Sequence, residues 1–204
     1  MAASEIMRDQ RLGPMGNELY LEYAGDIHES ARHALAVISD MLDAATGASS
    51  HKSQIFDLNE LTAATVSSMQ PLAHARALTL AHETDEGRLD LRANATAIRQ
   101  ILLNLMTNAT KFTGPGGEVR VGTGYLTDGS IYLVVRDTGA GMDENMLARA
   151  FFEEPGELIP RAGGGYGLGL PMVRNLAEAN GGIIEIDSAP GRGTVVLISF
   201  STRR

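Results

Sequence analysis

Asn104 and Asn108 stand four residues apart in a stretch free of glycine and proline, so on a helix their amides project from one face, with Lys111 about a turn further on. Neutral amide oxygens beside one ammonium suit a magnesium ion that already bridges phosphates. Asp137-Thr138-Gly139-Ala140-Gly141-Met142 places a carboxylate at the end of a strand, followed by two glycines whose bare backbone lets a flat ring approach. A carboxylate accepts a hydrogen bond from an exocyclic amine such as that of adenine. Gly163-Gly164-Gly165-Tyr166-Gly167-Leu168-Gly169-Leu170 runs straight into a helix, an arrangement that offers unpaired amides and a positive dipole end to phosphate. This run is no P-loop, because Gly-Lys-Ser or Gly-Lys-Thr is missing from its end, and no dinucleotide-binding G-x-G-x-x-G fingerprint is present. Pro190-Gly191-Arg192-Gly193-Thr194 is a glycine turn opening the last strand.

These residues need elements to hold them. Ala95 to Lys111 reads as a helix with Ile98, Leu102, Leu105 and Ala109 on one face, ended by Gly114-Pro115-Gly116-Gly117. Upstream, Ile55 to Asp57 reads as a short strand, and Asp57 or Asn59 caps a helix from about Glu60 to Ala75. Ala77 to His82 and Leu89 to Leu91 read as two short strands joined by an acidic turn. Strands follow at Glu118 to Leu126 and Ser130 to Asp137, joined by Thr127-Asp128-Gly129, a hairpin signal. Asp143 caps a short helix, and Phe152 to Gly167, with two prolines and five glycines, reads as a mobile loop. Leu170 to Ala179 is helical, and Ile183 to Asp187 with Thr194 to Phe200 forms a last hairpin. Helices and strands alternate, and the strands pair largely as hairpins. The expected fold is an α+β sandwich, a mixed and largely antiparallel sheet packed on helices.

The chain has 204 residues, 44% hydrophobic and 21% charged, which describes a soluble globular protein of one full core plus a smaller module. Cysteine is absent, so disulfides, thiolate metal sites and a cysteine nucleophile are excluded. No run of ~18 apolar residues offers a membrane span, and the acidic, short-patterned N-terminus does not read as a secretion signal. The expected compartment is cytoplasmic. A net charge of −8 argues against non-specific nucleic-acid binding. Of 23 glycines, 18 lie from Gly114 onward, so it is the second half that needs bare backbone.

Residues Glu18 to Thr46 form a separate pattern. Tyr20, Ala24, Ile27, Ala31, Ala34, Ile38, Met41 and Ala45 repeat at spacings of four and three, a coiled-coil or bundle seam. Gly47 sits where a helix stop belongs, and Gly13-Pro14-Met15-Gly16-Asn17 reads as the turn of a helical hairpin whose first arm is a stub. One helix cannot bury such a stripe alone, so residues 18–46 are expected to self-associate. The polar stretch Ala48 to Gln54 reads as a linker, which divides the chain into residues 1–47, 48–54 and 55–204.

The asparagine pair, the carboxylate turn, the glycine run and the last glycine turn, in this order, resemble the N, G1, G2 and final glycine boxes of the catalytic domain of sensor histidine kinases. That domain shares the GHKL, or Bergerat-type, ATP-binding fold with type II topoisomerases and mismatch-repair ATPases. The resemblance covers about residues 10–204. It implies that the chain binds ATP or ADP with magnesium: Asn108 ligates the ion, with Asn104 supporting it or the phosphates. Lys111 reaches phosphate, Phe112 stacks near adenine, and Asp137 binds the adenine amino group. Gly139 and Gly141 admit the ring, while Gly165, Gly167, Leu168 and Gly169 hold the phosphates under a movable lid, and Thr194 lines the site. Ala150-Phe151-Phe152-Glu153-Glu154-Pro155 matches the family's phenylalanine-rich box only in part. The lid from Pro155 to Gly164 has Arg161 but no lysine.

The ATP-hydrolysing branches of the fold place a glutamate at the position of Asn104, whereas the kinases place asparagine, which cannot take a proton. That favours phosphoryl transfer over hydrolysis. Residues 1–47 match, by resemblance, the second helix of the kinases' dimerisation hairpin with a stub of the first. The family's acceptor motif is His-Glu-Leu-Arg-Thr-Pro-Leu, whereas His28-Glu29-Ser30-Ala31-Arg32 keeps only the His-Glu and a displaced Arg, so His28 reads as a helix-surface histidine. The implied activity is transfer of the ATP γ-phosphate to a histidine, for relay to a response-regulator aspartate, without self-phosphorylation of this chain. The alternative is a catalytically silent, nucleotide-binding regulatory module acting through protein contacts.

Overall fold

The computed structural model describes residues 53–85, 87–152 and 169–202. The seam over residues 18–46, His28 and the lid from Pro155 to Gly164 lie outside the described residues, as do Gly165, Gly167 and Leu168.

Strand β1 (Gln54–Asp57) takes in Gln54, the last residue expected for the linker. It runs directly into helix α1 (Leu58–Ala75). The helix starts at Leu58, ahead of the expected Glu60, because Asp57 is its cap: the carboxylate accepts from the Asn59 amide at 3.0 Å, and from the Leu89 amide at 3.2 Å. Ala77 has a φ of 54° and so stands in the left-handed region, outside any strand. Strand β2 (Thr79–Thr84) therefore begins two residues later than the composition suggested. After β3 (Asp90–Ala93), Asn94 caps α2 (Ala95–Phe112), accepting from the amides of Thr96 and Ala97. The hairpin β4 (Glu118–Tyr125) and β5 (Ile131–Asp137) follows as the sequence implies, then α3 (Glu144–Phe152). Helix α4 (Gly169–Ala179) and the hairpin β6 (Gly182–Ala189) and β7 (Gly193–Phe200) complete the order.

Five strands form a mixed sheet in the order β2-β4-β5-β7-β6, parallel at β2–β4 and antiparallel elsewhere. The expectation of hairpin pairing fails at one place. β2 and β3 are consecutive in the chain but do not pair: β2 joins β4, and β3 joins β1 in a separate two-stranded sheet. The partner of β2 lies past α2, so its pairing is non-local and no turn residue announces it.

One face of the large sheet carries the core. Ile131, Leu133 and Val135 of β5 are buried with Val119 and Val121 of β4 and Val196, Ile198 and Phe200 of β7, against Ile98, Ile101, Leu102, Leu105 and Met106 of α2. Each such side chain contributes roughly 1.5–3 kcal/mol by leaving water. Alternation along β5 then has a consequence for the site. Asp137 is in phase with Ile131, Leu133 and Val135, so it points to the helix-covered face, at the end of a central strand. No helix among the described residues is long and apolar enough to cross a membrane.

Candidate nucleotide site

The carboxylate turn is held from three sides. Toward β4, the Thr138 amide donates to the Glu118 carbonyl at 3.0 Å and the Glu118 amide to Thr138 Oγ1 at 2.9 Å. Toward the end of α2, the Ala140 amide donates to the Phe112 carbonyl at 3.1 Å. Toward the last hairpin, the Gly191 amide donates to the Ala140 carbonyl at 2.6 Å and the Met142 amide to Ser188 Oγ at 2.9 Å.

Asp137 itself is buried, with 9% of its surface exposed. Its Oδ1 accepts from the Gly139 amide at 2.8 Å and the Thr194 amide at 3.3 Å. No described residue donates to Oδ2. One oxygen is thus locked to backbone while the other keeps its acceptor capacity. Burial pushes the carboxyl's pKa above its ordinary value, and the hydrogen bonds from Gly139 and Thr194 oppose that shift in part. A donor meeting Oδ2 in this partly desolvated place forms a stronger hydrogen bond than it would in water.

The glycines around this carboxylate also answer to the protein's own backbone. Gly141, at φ +66°, has the Ala189 carbonyl where a side chain would begin, and a Cβ at Gly139 would lie 2.5 Å from the Phe112 carbonyl. Bare backbone at these two positions lets the turn close on its neighbours. Gly193, at φ +79°, is likewise pressed against the Asp137 carbonyl.

The two asparagines are on one face of α2 but do not share an environment. Asn104 is buried: its Oδ1 accepts from Gln100 Nε2 at 3.2 Å and its Nδ2 donates to Met172 Sδ on α4 at 3.5 Å. Asn108, one turn on, is half-buried, and no hydrogen bond to a described residue occupies its amide. Lys111 Nζ stands 5.5 Å from the centroid of the Phe112 ring, which is 52% exposed. The structure therefore brings Phe112 against the Asp137 turn, and sets Asn108 and Lys111 on the same last turns of α2. Gly169 opens α4, and Thr194 is the second residue of β7, beside Asp137.

No group of three or more His, Cys, Asp or Glu able to hold a metal occurs among the described residues. A divalent ion here would take its charge partners from a ligand's phosphates, and the open amide oxygen of Asn108 is the kind of single neutral ligand that fits such an ion.

Three residues were missed in the sequence. Gln100 could have been found from its i,i+4 relation to Asn104. Ser188 faces Thr194 across the β6–β7 pair, a register legible only once the hairpin turn is placed. Met172 had no sequence signal.

Residues 93–204 match the family model described as histidine kinase-, DNA gyrase B- and HSP90-like ATPase. The cell-division control histidine kinase PdhS of Brucella suis is 36% identical over 214 residues, covering 98% of this chain and 21% of that protein. The chain thus spans about a fifth of the length of the curated relatives it matches. Among solved structures, the catalytic domain of the histidine kinase ThkA is 25% identical, covers 73% of this chain and 95% of its own, and superposes with a TM-score of 0.64. ThkA has also been solved in complex with the response regulator TrrA, at 19% identity over 97% of this chain and 55% of that one, TM-score 0.63. Full-length ShkA, solved in complex with AMPPNP, is 29% identical, covers 87% of this chain and 38% of its own, and gives a TM-score of 0.64.

Proposed function

Because the chain belongs to the histidine kinase-, DNA gyrase B- and HSP90-like ATPase family, and its ATP-binding catalytic domain is of the histidine-kinase kind, we propose that it transfers the γ-phosphate of magnesium-bound ATP to a protein histidine. The observation that carries this reading is the Asp137 carboxylate, buried at a strand end with Oδ1 locked on two amides and Oδ2 left to accept from an amino group.

Adenine's amino group donates to Asp137 Oδ2, with Phe112 stacking near the ring and Thr194 beside it. The phosphates run along the last turns of α2, where Lys111 meets them and Asn108 holds the magnesium. Asn104, bound on both sides of its amide, supports this face from within. Gly169, which opens α4, and by resemblance Gly165, Gly167 and Leu168, are the further residues assigned to the phosphates. The ion, when bound, neutralises charge on the transferred group, and the protein contributes position and electrostatics. In transfer the γ-phosphorus leaves the bridging oxygen of ADP and bonds to an imidazole nitrogen. No group in the site needs to take a proton from water, which agrees with asparagine at position 104.

Residues 1–47 contribute a partial dimerisation hairpin, self-associating through 18–46, and residues 55–204 the catalytic domain. A response regulator is the next acceptor, as the ThkA–TrrA complex suggests by analogy, and the compartment is cytoplasmic. The silent regulatory alternative is not favoured, since the relatives carry the name of kinases.

The test has two parts. Calorimetry with Mg-ATP and Mg-ADP is expected to show adenine-nucleotide binding, and absence of heat at millimolar ligand removes the proposal. Radiolabelled ATP is then added together with a separate helical hairpin carrying a His-Glu-Leu-Arg-Thr-Pro-Leu stretch. Acid-labile, alkali-stable label on that hairpin is expected. Binding without labelling points to the regulatory alternative.

A further inference from the structure

Ser188 has one hydroxyl hydrogen and three neighbours at the base-reading end of the site. Its Oγ accepts from the Met142 amide at 2.9 Å, donates to the Gly193 carbonyl at 3.1 Å, and lies 3.0 Å from Thr194 Oγ1. With the Ser188 hydrogen on Gly193, the hydrogen between the two hydroxyls belongs to Thr194, so the Thr194 hydroxyl is turned toward Ser188. Thr194 is held in this way at its side chain while its amide donates to Asp137 Oδ1.

That last contact decides what Asp137 can read. A free carboxylate accepts two parallel hydrogen bonds from the ring N–H and amino group of guanine, but only one from the amino group of adenine. With Oδ1 taken by the Gly139 and Thr194 amides, Asp137 offers a single oxygen to the base. The two-pronged guanine contact is blocked and the single adenine contact is kept. Ser188 supports this from two directions, fixing Thr194 on β7 and the Met142 end of the turn that carries Asp137. We propose that Ser188 is a positioning residue that sets the preference for adenine over guanine, by holding Thr194 and the Met142 turn so that Asp137 Oδ1 stays closed to the base. The proposal deepens the nucleotide-binding reading above and rests on it.

The experiment uses the full chain and titrates ADP and GDP, each with magnesium, against the parent, Ser188→Ala, Ser188→Thr and Thr194→Val. Ser188→Ala is expected to lower the ADP:GDP affinity ratio about tenfold, the scale of one hydrogen bond, because an opened Oδ1 admits the second guanine contact while adenine still meets Oδ2. Ser188→Thr restores the ratio, and Thr194→Val in the Ser188→Ala background adds little, because the serine acts through the threonine. Equal losses for ADP and GDP, or additive losses in the double variant, reduce Ser188 to a structural hydroxyl and overturn the proposal. Unfolding temperature is followed in parallel: a variant that fails to fold is replaced by Thr194→Val alone, which must also lower the ADP:GDP ratio. A parent that binds no ADP brings down the nucleotide reading itself, an outcome distinct from a parent that binds ADP with an unaltered ratio in the variants.

Discussion

The two ends of the candidate site are built by different means. At the base-reading end, Asp137 is tied to backbone amides of its own turn and of β7, and that turn is braced against β4, α2 and the last hairpin. At the phosphate end, Asn108 and Lys111 project from the last turns of a single helix, and Asn108 has no described hydrogen-bond partner. A ligand atom meeting Asp137 finds an acceptor already aligned, whereas one meeting Asn108 must bring its own ion and phosphates. Pre-alignment lowers the ordering cost of binding. On the proposed reading, recognition of the base falls to the pre-aligned end, and charge handling during transfer to the end that the ligand completes.

The comparison is broken most directly at Asp137. Asp137→Ala is expected to weaken ADP about 100-fold, since a charge-assisted hydrogen bond is lost and two backbone amides are left without their acceptor. A loss under about fivefold in calorimetry would falsify the assignment of base reading to this residue. At the other end, Asn108→Ala is expected to cost about tenfold with magnesium present and little without it, because its oxygen matters only through the ion. An equal loss in chelator would mean that Asn108 touches the nucleotide directly. Asn104→Ala has a smaller effect on affinity, about threefold or less, because its amide is engaged by Gln100 and Met172; its main consequence is a lower unfolding temperature from the buried side chain removed and the part-buried partners left behind.

The smallest effect sharpens the electrostatic side of the contrast. Burial raises the Asp137 pKa in the folded state, so folding is favoured most when the group is protonated, at pH below its unfolded value of 3.8. That contribution is lost as pH rises through the folded value, and near neutrality the buried charge weighs against the fold. Asp137→Asn keeps an oxygen for the Gly139 and Thr194 amides but carries no charge. It is expected to unfold at a higher temperature than the parent at pH 7, with the gap closing toward pH 4, and to bind ADP poorly at both. A gap that widens on acidification would show that the carboxylate stabilises the fold. In the parent, ADP affinity falls on acidification through the raised value, as Oδ2 takes up a proton.

Much of this site was legible in the chain because it depends on neighbours in sequence. The i,i+4 spacing that placed Asn104 and Asn108 on one helix face, the Asp57 and Asp143 caps, and the Thr127-Asp128-Gly129 hairpin all hold in the structure. Asp137 was found at the end of its strand, and the packed sheet then showed which face it occupies. Gly139 and Gly141 were expected to make room for a ring, and the structure adds that carbonyls of Phe112 and Ala189 stand where their side chains would begin. Glycine announces that something comes close without saying what.

The sequence by itself determined the elements, their caps and the type of group at each end of the site, because periodicity, capping and tight turns are settled by contacts a few residues apart. Tertiary structure alone decided that β2 pairs in parallel with β4 and not with β3, that Asn104 is enclosed by Met172 while Asn108 is not, and that Thr194 closes one oxygen of Asp137. Those outcomes join residues 39 to 68 positions apart. They depend on which distant surfaces the shared core brings together, and local pattern carries no record of that choice.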